Sequence, residues 1–223
     1  NNAIRDRNPF TRLIPFNSSQ DKYDITQERF VHTAKLEAKL DYYYLLNDTS
    51  NINISLGITD VNQDFDSSFF QLLDNGSQLN FDDAVFNNEV NFDFSDAYVA
   101  LNYRLRTGIF TFDPGLTFHF YKTGTTQLGS STMNNLSDVR PNLRINMQFK
   151  KTESLRLTFR KNTQFTDVNN LAEGYVFNNY NSIFRGNREL ESAVVNSYNM
   201  NYRSINQFTF TNIFANASYS KRS

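Results

Sequence analysis

Four groups of side chains in this sequence are of types and spacings that could do chemistry. Asp60, Asn62, Asp64 and Asp66 recur at every second position, and hard cations such as calcium bind clustered oxygens of this kind. The opening Asp-x-Asn-x-Asp is that of an EF-hand loop. Phe65, however, stands where that loop needs glycine, and Gln71 stands where it needs a bidentate glutamate. A looser loop calcium site is what remains, beside the plainer reading of a solvated acidic loop that also holds Asp74, Asp82 and Asp83. His119 shares a polar strand face with Asp113 and Thr117. A hydrolase would need a nucleophile brought to that histidine. The sequence fixes none, so a hydrogen-bonded histidine is the simpler role and no covalent chemistry is expected. Arg104, Arg140, Arg144, Arg156 and Arg160 could line an aqueous path or brace another segment through bidentate carboxylate pairs. Tyr175, Phe177, Tyr180 and Phe184, set among asparagines, could contact a ligand. The alternative is a loop that packs its own aromatics.

The elements that position these groups follow from period-two alternation, since a strand sends successive side chains to opposite faces. From His32, residues Ala34, Leu36, Ala38, Leu40, Tyr42, Tyr44 and Leu46 share one face, with Lys35, Glu37, Lys39 and Asp41 on the other. The pattern recurs at 52–58, 90–105, 110–120, 139–149, 155–160, 194–203 and 213–219. In the 90–105 run the apolar phase moves from Val90, Phe92 and Phe94 to Ala97, Val99 and Leu101, which predicts a β-bulge at Ser95-Asp96. Tight turns are expected at Asn47 to Ser50, Thr107-Gly108, Lys151 to Glu153 and Ser204 to Asn206. They alternate with long polar stretches at 60–89, 122–138 and 166–193, and residues 1–31 precede the first strand. Outer-membrane barrels show this asymmetry, with short periplasmic turns and long extracellular loops. Tyr42, Tyr43, Tyr44, Phe118, Phe120 and Tyr121 fit an interfacial aromatic girdle at the strand ends.

Composition supports that class. The 223 residues carry 22 Lys plus Arg against 23 Asp plus Glu, which argues against a nucleic-acid partner. Aromatics reach 15%, all Phe and Tyr, and Asn fills about one position in seven. Mean hydropathy is −0.56, with no apolar run near the ~18 residues of a membrane helix. Cysteine is absent, which excludes disulfides and thiolate metal sites. No signal peptide is read at the N-terminus.

Residues 140–222 resemble the Bacteroidetes-type TonB-dependent receptor barrels, broadly the outer-membrane β-barrel family proteins. The residues that carry the likeness are FTDVNNL at Phe165 to Leu171, YNSIFRGNREL at Tyr180 to Leu190, and the closing hairpin NYRSINQFTFTNIFANASYSKR. DAYVALNYRLRTGIFTFDPGLTFHFYK at Asp96 to Lys122 reads like their paired strands, so the likeness spans about 90–222. The resemblance implies a barrel of about 22 strands, filled by a plug domain and driven by a periplasmic energy-coupling protein. The sequence departs from that pattern. It shows no plug, no coupling box and no aromatic end, since it stops at Lys221-Arg222-Ser223, and GNRELES lacks the proline many relatives place there.

The expected fold is therefore all-β, an antiparallel transmembrane β-barrel of about eight meandering strands. It forms one segment over 1–223, with 1–31 as an extracellular loop or lead-in and 32–220 as strands and loops, and is part of a larger barrel. Its expected partners are outer-membrane lipid, a plug and coupling protein outside this chain, and an unidentified nutrient ligand. No cofactor is expected beyond the loop calcium. A self-contained small barrel with a structural, adhesive or scaffold role, and a soluble β-domain, are the alternatives.

Overall fold

The computed structural model describes residues 2–4, 24–179, 182–188, 190, 192–206 and 208–223. The strands are β1 (Asn2–Ile4), β2 (Asp24–Asn47), β3 (Ser50–Leu72), β4 (Gln78–Asn80), β5 (Asn88–Thr107), β6 (Phe110–Gln127), β7 (Ser130–Lys150), β8 (Glu153–Gln164), β9 (Tyr175–Asn179), β10 (Ser182–Arg185), β11 (Ala193–Asn206) and β12 (Thr211–Arg222). Among the described residues, the eight long strands β2, β3, β5, β6, β7, β8, β11 and β12 pair antiparallel in chain order. The ladder is an arc. Among the described residues, β12 pairs with β11 alone, and β2 receives on its other side only the three residues of β1, opposite Ile25 to Gln27. In lipid every backbone amide needs a partner, so a spanning wall must be continued at these two edges.

The strands are longer than the alternation predicts. β3 has 23 residues. At ~3.3 Å per residue and ~40° tilt it stands about 58 Å tall, roughly twice the ~25 Å apolar band of an outer-membrane barrel. That band is visible on one face. Ile54, Leu56 and Ile58 of β3, Val99 and Leu101 of β5, and Phe118 and Phe120 of β6 are each between 40% and 58% exposed. In water so continuous an apolar surface would drive association. Against hydrocarbon it is the contact surface.

Above the band the two faces exchange character. On β3 the face of Ile54, Leu56 and Ile58 continues as Asp60, Asn62, Asp64 and Asp66, while the inner face gains buried Phe65 and Phe69. On β5 the inner face gains buried Val90 and Phe92, and the outer face becomes Glu89, Asn91 and Asp93. The β3–β5 register runs without a shift from Ser50↔Leu105 to Ser67↔Asn88. The bulge expected at Ser95-Asp96 is therefore absent. The change of apolar phase there marks where the wall leaves the bilayer and its inside becomes the dry side.

Two expected loops are also strand. Residues 60–72 belong to β3, and the 122–138 stretch is the far end of the β6–β7 hairpin, closed at Leu128-Gly129. Both turn residues have positive φ, 51° and 71°, the backbone of a two-residue hairpin whose twist matches its strands. β11 runs on to Asn206, so the last tight connection lies beyond the expected Ser204 to Asn206. The aromatic girdle divides as well. Tyr42 and Tyr44 share the outer face of Leu40, whereas Tyr43 lines an inner hollow and Tyr121 is buried inside.

The hydrophobic core sits in the half of the wall beyond the apolar band. One cluster joins Ile25, Phe69, Phe81, Phe86 and Phe177, and a second joins Phe65, Val90, Phe92, Val168, Leu171, Ala172 and Val176. Both join wall residues of the strand extensions to the long 165–188 connection, and the first also takes Phe81 and Phe86 from the connection between β4 and β5.

Candidate functional site

The candidate site lies beyond the apolar band, where the 165–188 segment forms a cap against the inner wall. The cap begins with a 3-10 turn at Val168–Asn170, where the Asp167 carboxylate accepts from the Asn169 amide at 3.3 Å. It continues into the β9–β10 hairpin. Gly186 N donates to Ala172 O and Asn187 N to Asn170 O, both at 2.8 Å, which closes the segment on itself.

Three wall amides hold the cap's backbone. From β2, Gln27 Oε1 accepts from Phe177 N at 2.9 Å. From β5, Asn88 Oδ1 accepts from Gly174 N at 2.7 Å, and Asn88 Nδ2 donates to Tyr175 O at 3.2 Å and to Ser67 Oγ at 2.9 Å. From β6, Gln127 Nε2 donates to Leu171 O at 2.9 Å, and its Oε1 accepts from Glu173 N at 3.3 Å. All three are buried. A primary amide suits this task because it offers both donor and acceptor to a strand-like backbone without carrying charge. The sequence reading missed all three, since asparagine and glutamine recur everywhere in the chain. Their parity on the inner face of the extended strands is the signal that would have found them.

The aromatic ligand candidates divide. Phe177 is fully buried in the first core cluster and has no surface to offer a ligand. Its ring meets Phe69 edge-on at 4.6 Å. Tyr175 and Phe184 pack, half-buried, against the two clusters. Tyr180 lies outside the described residues. The cap packs its own aromatics because its only route to a dry interior is against Phe65, Phe69 and Phe92 of the wall.

The five arginines sit on the inner wall. Arg104 meets Asp113 with Nε–Oδ1 at 2.6 Å and Nη2–Oδ2 at 3.5 Å. Arg144 and Arg160 line, with Asn51, Asn102 and Asn142, a hollow of about 330 Å³ below the cap. Arg156 Nε donates to Asn146 Oδ1 at 2.8 Å. Arg140 lies higher. Its Nε is 3.2 Å from Asp138, its Nη2 donates to Thr163 O at 3.3 Å, and its guanidinium stands 5.2 Å from the Tyr121 ring centroid. Asp138 also receives Lys161 Nζ at 2.7 Å and Thr163 Oγ1 at 2.5 Å. His119 Nδ1 lies 2.9 Å from Asp96 on the neighbouring strand, and its ring stacks on Tyr121 at 5.1 Å. These groups are tied into a wet inner wall that can screen and orient a polar solute.

Asp60, Asn62, Asp64 and Asp66 are not in a loop. They form a row on the outer face of β3 just above the band, and the side chains of Asp60, Asn62 and Asp64 are engaged across the ladder. Asn62 Nδ2 donates to Asp93 at 2.9 Å, Asn91 Nδ2 to Asp64 at 2.8 Å, and Ser95 Oγ to Asp60. The every-second-residue spacing is strand period, and it keeps the carboxylates apart along a rod where a loop would converge them. Among the described residues, no group of three His, Asp or Glu converges as a metal site.

Comparison with known proteins agrees with this architecture. No curated protein matches the chain. Among solved structures, the ferric citrate transporter FecA in its unliganded form superposes with a TM-score of 0.50 at 12% identity, over 91% of this chain and 33% of that one. The alcaligin outer membrane receptor FauA from Bordetella pertussis gives a TM-score of 0.45 at 15% identity, over 90% of this chain and 30% of that one. The chain thus spans about a third of the length of these two proteins, and the likeness to the ferric citrate transporter is one of fold. The family model for the outer membrane protein beta-barrel family matches residues 1–223, the whole chain. With the lipid-facing band and the inverted extracellular wall, that match places the protein in the outer membrane, as a member of the outer membrane protein beta-barrel family.

Proposed function

We propose that this chain is the wall and part of the extracellular cap of a receptor barrel that binds a scarce nutrient and admits it across the outer membrane. The observation that carries the reading is the cap itself. A folded segment with its own core, bracketed by Gln27, Asn88 and Gln127, packs at one end of the polar, arginine-lined inner face. A wall serving only as an anchor has no use for a structured mouth over a wet interior. The fold shared with a ferric citrate transporter supports the same reading. Energised uptake would require a plug and a periplasmic coupling protein supplied from outside these residues. The role is transport, with no bond made or broken.

The test is uptake in the native host. A strain lacking the protein, given labelled iron chelates, cobalamins, sugars and peptides at nanomolar concentration, is expected to lose one of them. That uptake should also stop in the parent strain when a protonophore collapses the proton-motive force. Unchanged uptake of every nutrient sinks the reading, and loss of an uptake insensitive to the protonophore reduces the protein to a passive pore.

A further inference from the structure

Asn75-Gly76 is the only Asn-Gly step in the sequence, and the fold sets it in the turn between β3 and β4, where residues 74–77 are exposed. Asparagine is a thermolabile residue, most of all before glycine, which has no Cβ to shield its own amide nitrogen from the neighbouring carboxamide. The turn leaves that nitrogen open. Gly76 has a φ of +82°, and a Cβ added to it would meet nothing within 4 Å. Two backbone bonds close the turn, Leu73 N to Ser77 O and Gly76 N to Leu73 O, both at 2.9 Å. The Asn75 side chain is held over it. Its Oδ1 accepts from Ser77 N at 2.9 Å and from Ser77 Oγ at 2.7 Å. The ring closed by the first of these bonds contains the Gly76 nitrogen, so the carboxamide carbon is folded back toward that nitrogen.

Two donors on one carboxamide oxygen polarise it. They stand where negative charge collects when the carboxamide carbon is attacked, which is the arrangement of an oxyanion hole. We propose that this turn is a self-modification site, at which Asn75 loses ammonia to its own backbone with the help of Ser77. Hydroxide takes the Gly76 N–H proton, and the nitrogen bonds to Asn75 Cγ. The Cγ–Nδ2 bond breaks, and Nδ2 leaves as ammonia with a proton from water. Water then opens the five-membered succinimide at either carbonyl, leaving aspartate or isoaspartate at position 75. The bond from Gly76 N to Leu73 O must open first, which costs little in an exposed turn. The Asn196-Ser197 step is the contrast. It lies inside β11, paired with β8 and β12 on its two sides, and its backbone has no room to fold onto the side chain. The converted turn carries a second carboxylate beside Asp74. Isoaspartate also adds a methylene to the main chain leading into β4 and on to Phe81, whose amide donates to Phe69 O at 3.1 Å. This site is independent of the receptor reading above.

The test uses the whole protein purified in detergent from outer membranes and kept for weeks in mildly alkaline buffer. Peptide mapping by mass spectrometry, with labelling by an isoaspartate methyltransferase, locates the conversion. It is expected at Asn75 ahead of every other asparagine, and faster as the pH rises. Ser77→Ala removes one donor from an exposed turn, so the barrel should keep its heat-shifted band on gels. Its conversion should slow about fivefold, the worth of one hydrogen bond. Heat-unfolded in urea, the two proteins should convert at the same rate, which separates the folded turn from the chemistry of the sequence alone. An unmodified Asn75, faster conversion at another asparagine, equal rates in the folded parent and folded Ser77→Ala, or a slowing that persists in urea each overturns the proposal.

Discussion

Tyr98 lies across Gly57, its partner on the neighbouring strand, so closely that a Cβ on Gly57 would sit 2.3 Å from the tyrosine ring. The same ring stands 5.3 Å from that of His119, which stacks on Tyr121. A row of rings thus crosses the inner wall from β3 to β6, near the level where the outer face turns from apolar to acidic. The glycine is the space that lets the row lie flat, an aromatic cover over a weak point of the strand. Gly57→Val is expected to force Tyr98 off the wall and lower stability by about 1–3 kcal/mol, the usual cost of overpacking. Chemical denaturation in detergent measures it, and adding Tyr98→Ala should recover part of the loss. A Gly57→Val protein as stable as its parent contradicts the packing described.

Phe177 is the centre of the cap core, and its truncation should act locally. Phe177→Ala is expected to cost about 3–5 kcal/mol within the cap, while the hydrogen-bonded strands beneath keep the barrel intact. Amides of residues 168–186 should lose protection in hydrogen exchange, with the heat-shifted band of the barrel on gels unchanged. Loss of that band as well would mean that the cap and wall fold as one unit.

Asn88 satisfies three groups with one side chain. Asn88→Ala leaves Gly174 N without that acceptor, at a cost of about 1–3 kcal/mol for a buried group left unpaired. Exchange at the Gly174 amide reads this directly and should rise by ten- to a hundredfold. An unchanged rate would show that another acceptor replaces the carboxamide.

Faces that invert along one strand make opposite demands on the same substitution. Leu101→Arg points into the middle of the apolar band and is expected to cost about 2–4 kcal/mol, cutting the amount of heat-modifiable barrel in outer membranes. Asp64→Arg, on the same outer surface but above the band, should leave that amount near the parental level. Equal tolerance of both would deny that the band meets lipid.

How much was legible in the sequence varies along each strand. Within the bilayer the alternation at 52–58, 97–105 and 110–120 named the strands, their faces and the antiparallel order, because lipid outside and water inside hold each face to one polarity over the whole span. The inward placement of Arg104, Arg140, Arg144, Arg156 and Arg160 followed from the same parity. Above the bilayer that constraint lapses. There the pattern at 60–72 and 122–138 reads as loop, since the outer face is as polar as any loop and the inner face mixes Phe65 and Phe69 with Gln63 and Ser67.

The sequence by itself determined that this chain is a membrane-spanning antiparallel wall, and which residues share a face within the band. Only the tertiary structure decided what each face meets outside it. Period two records that Val90 and Phe92 lie together, and equally that Asp60 and Asp64 do, without recording which medium they touch. The folded 165–188 segment makes the inner wall dry beside β3 and β5. Buried phenylalanines and bracketing amides then follow from contacts between residues up to 150 positions apart in the chain.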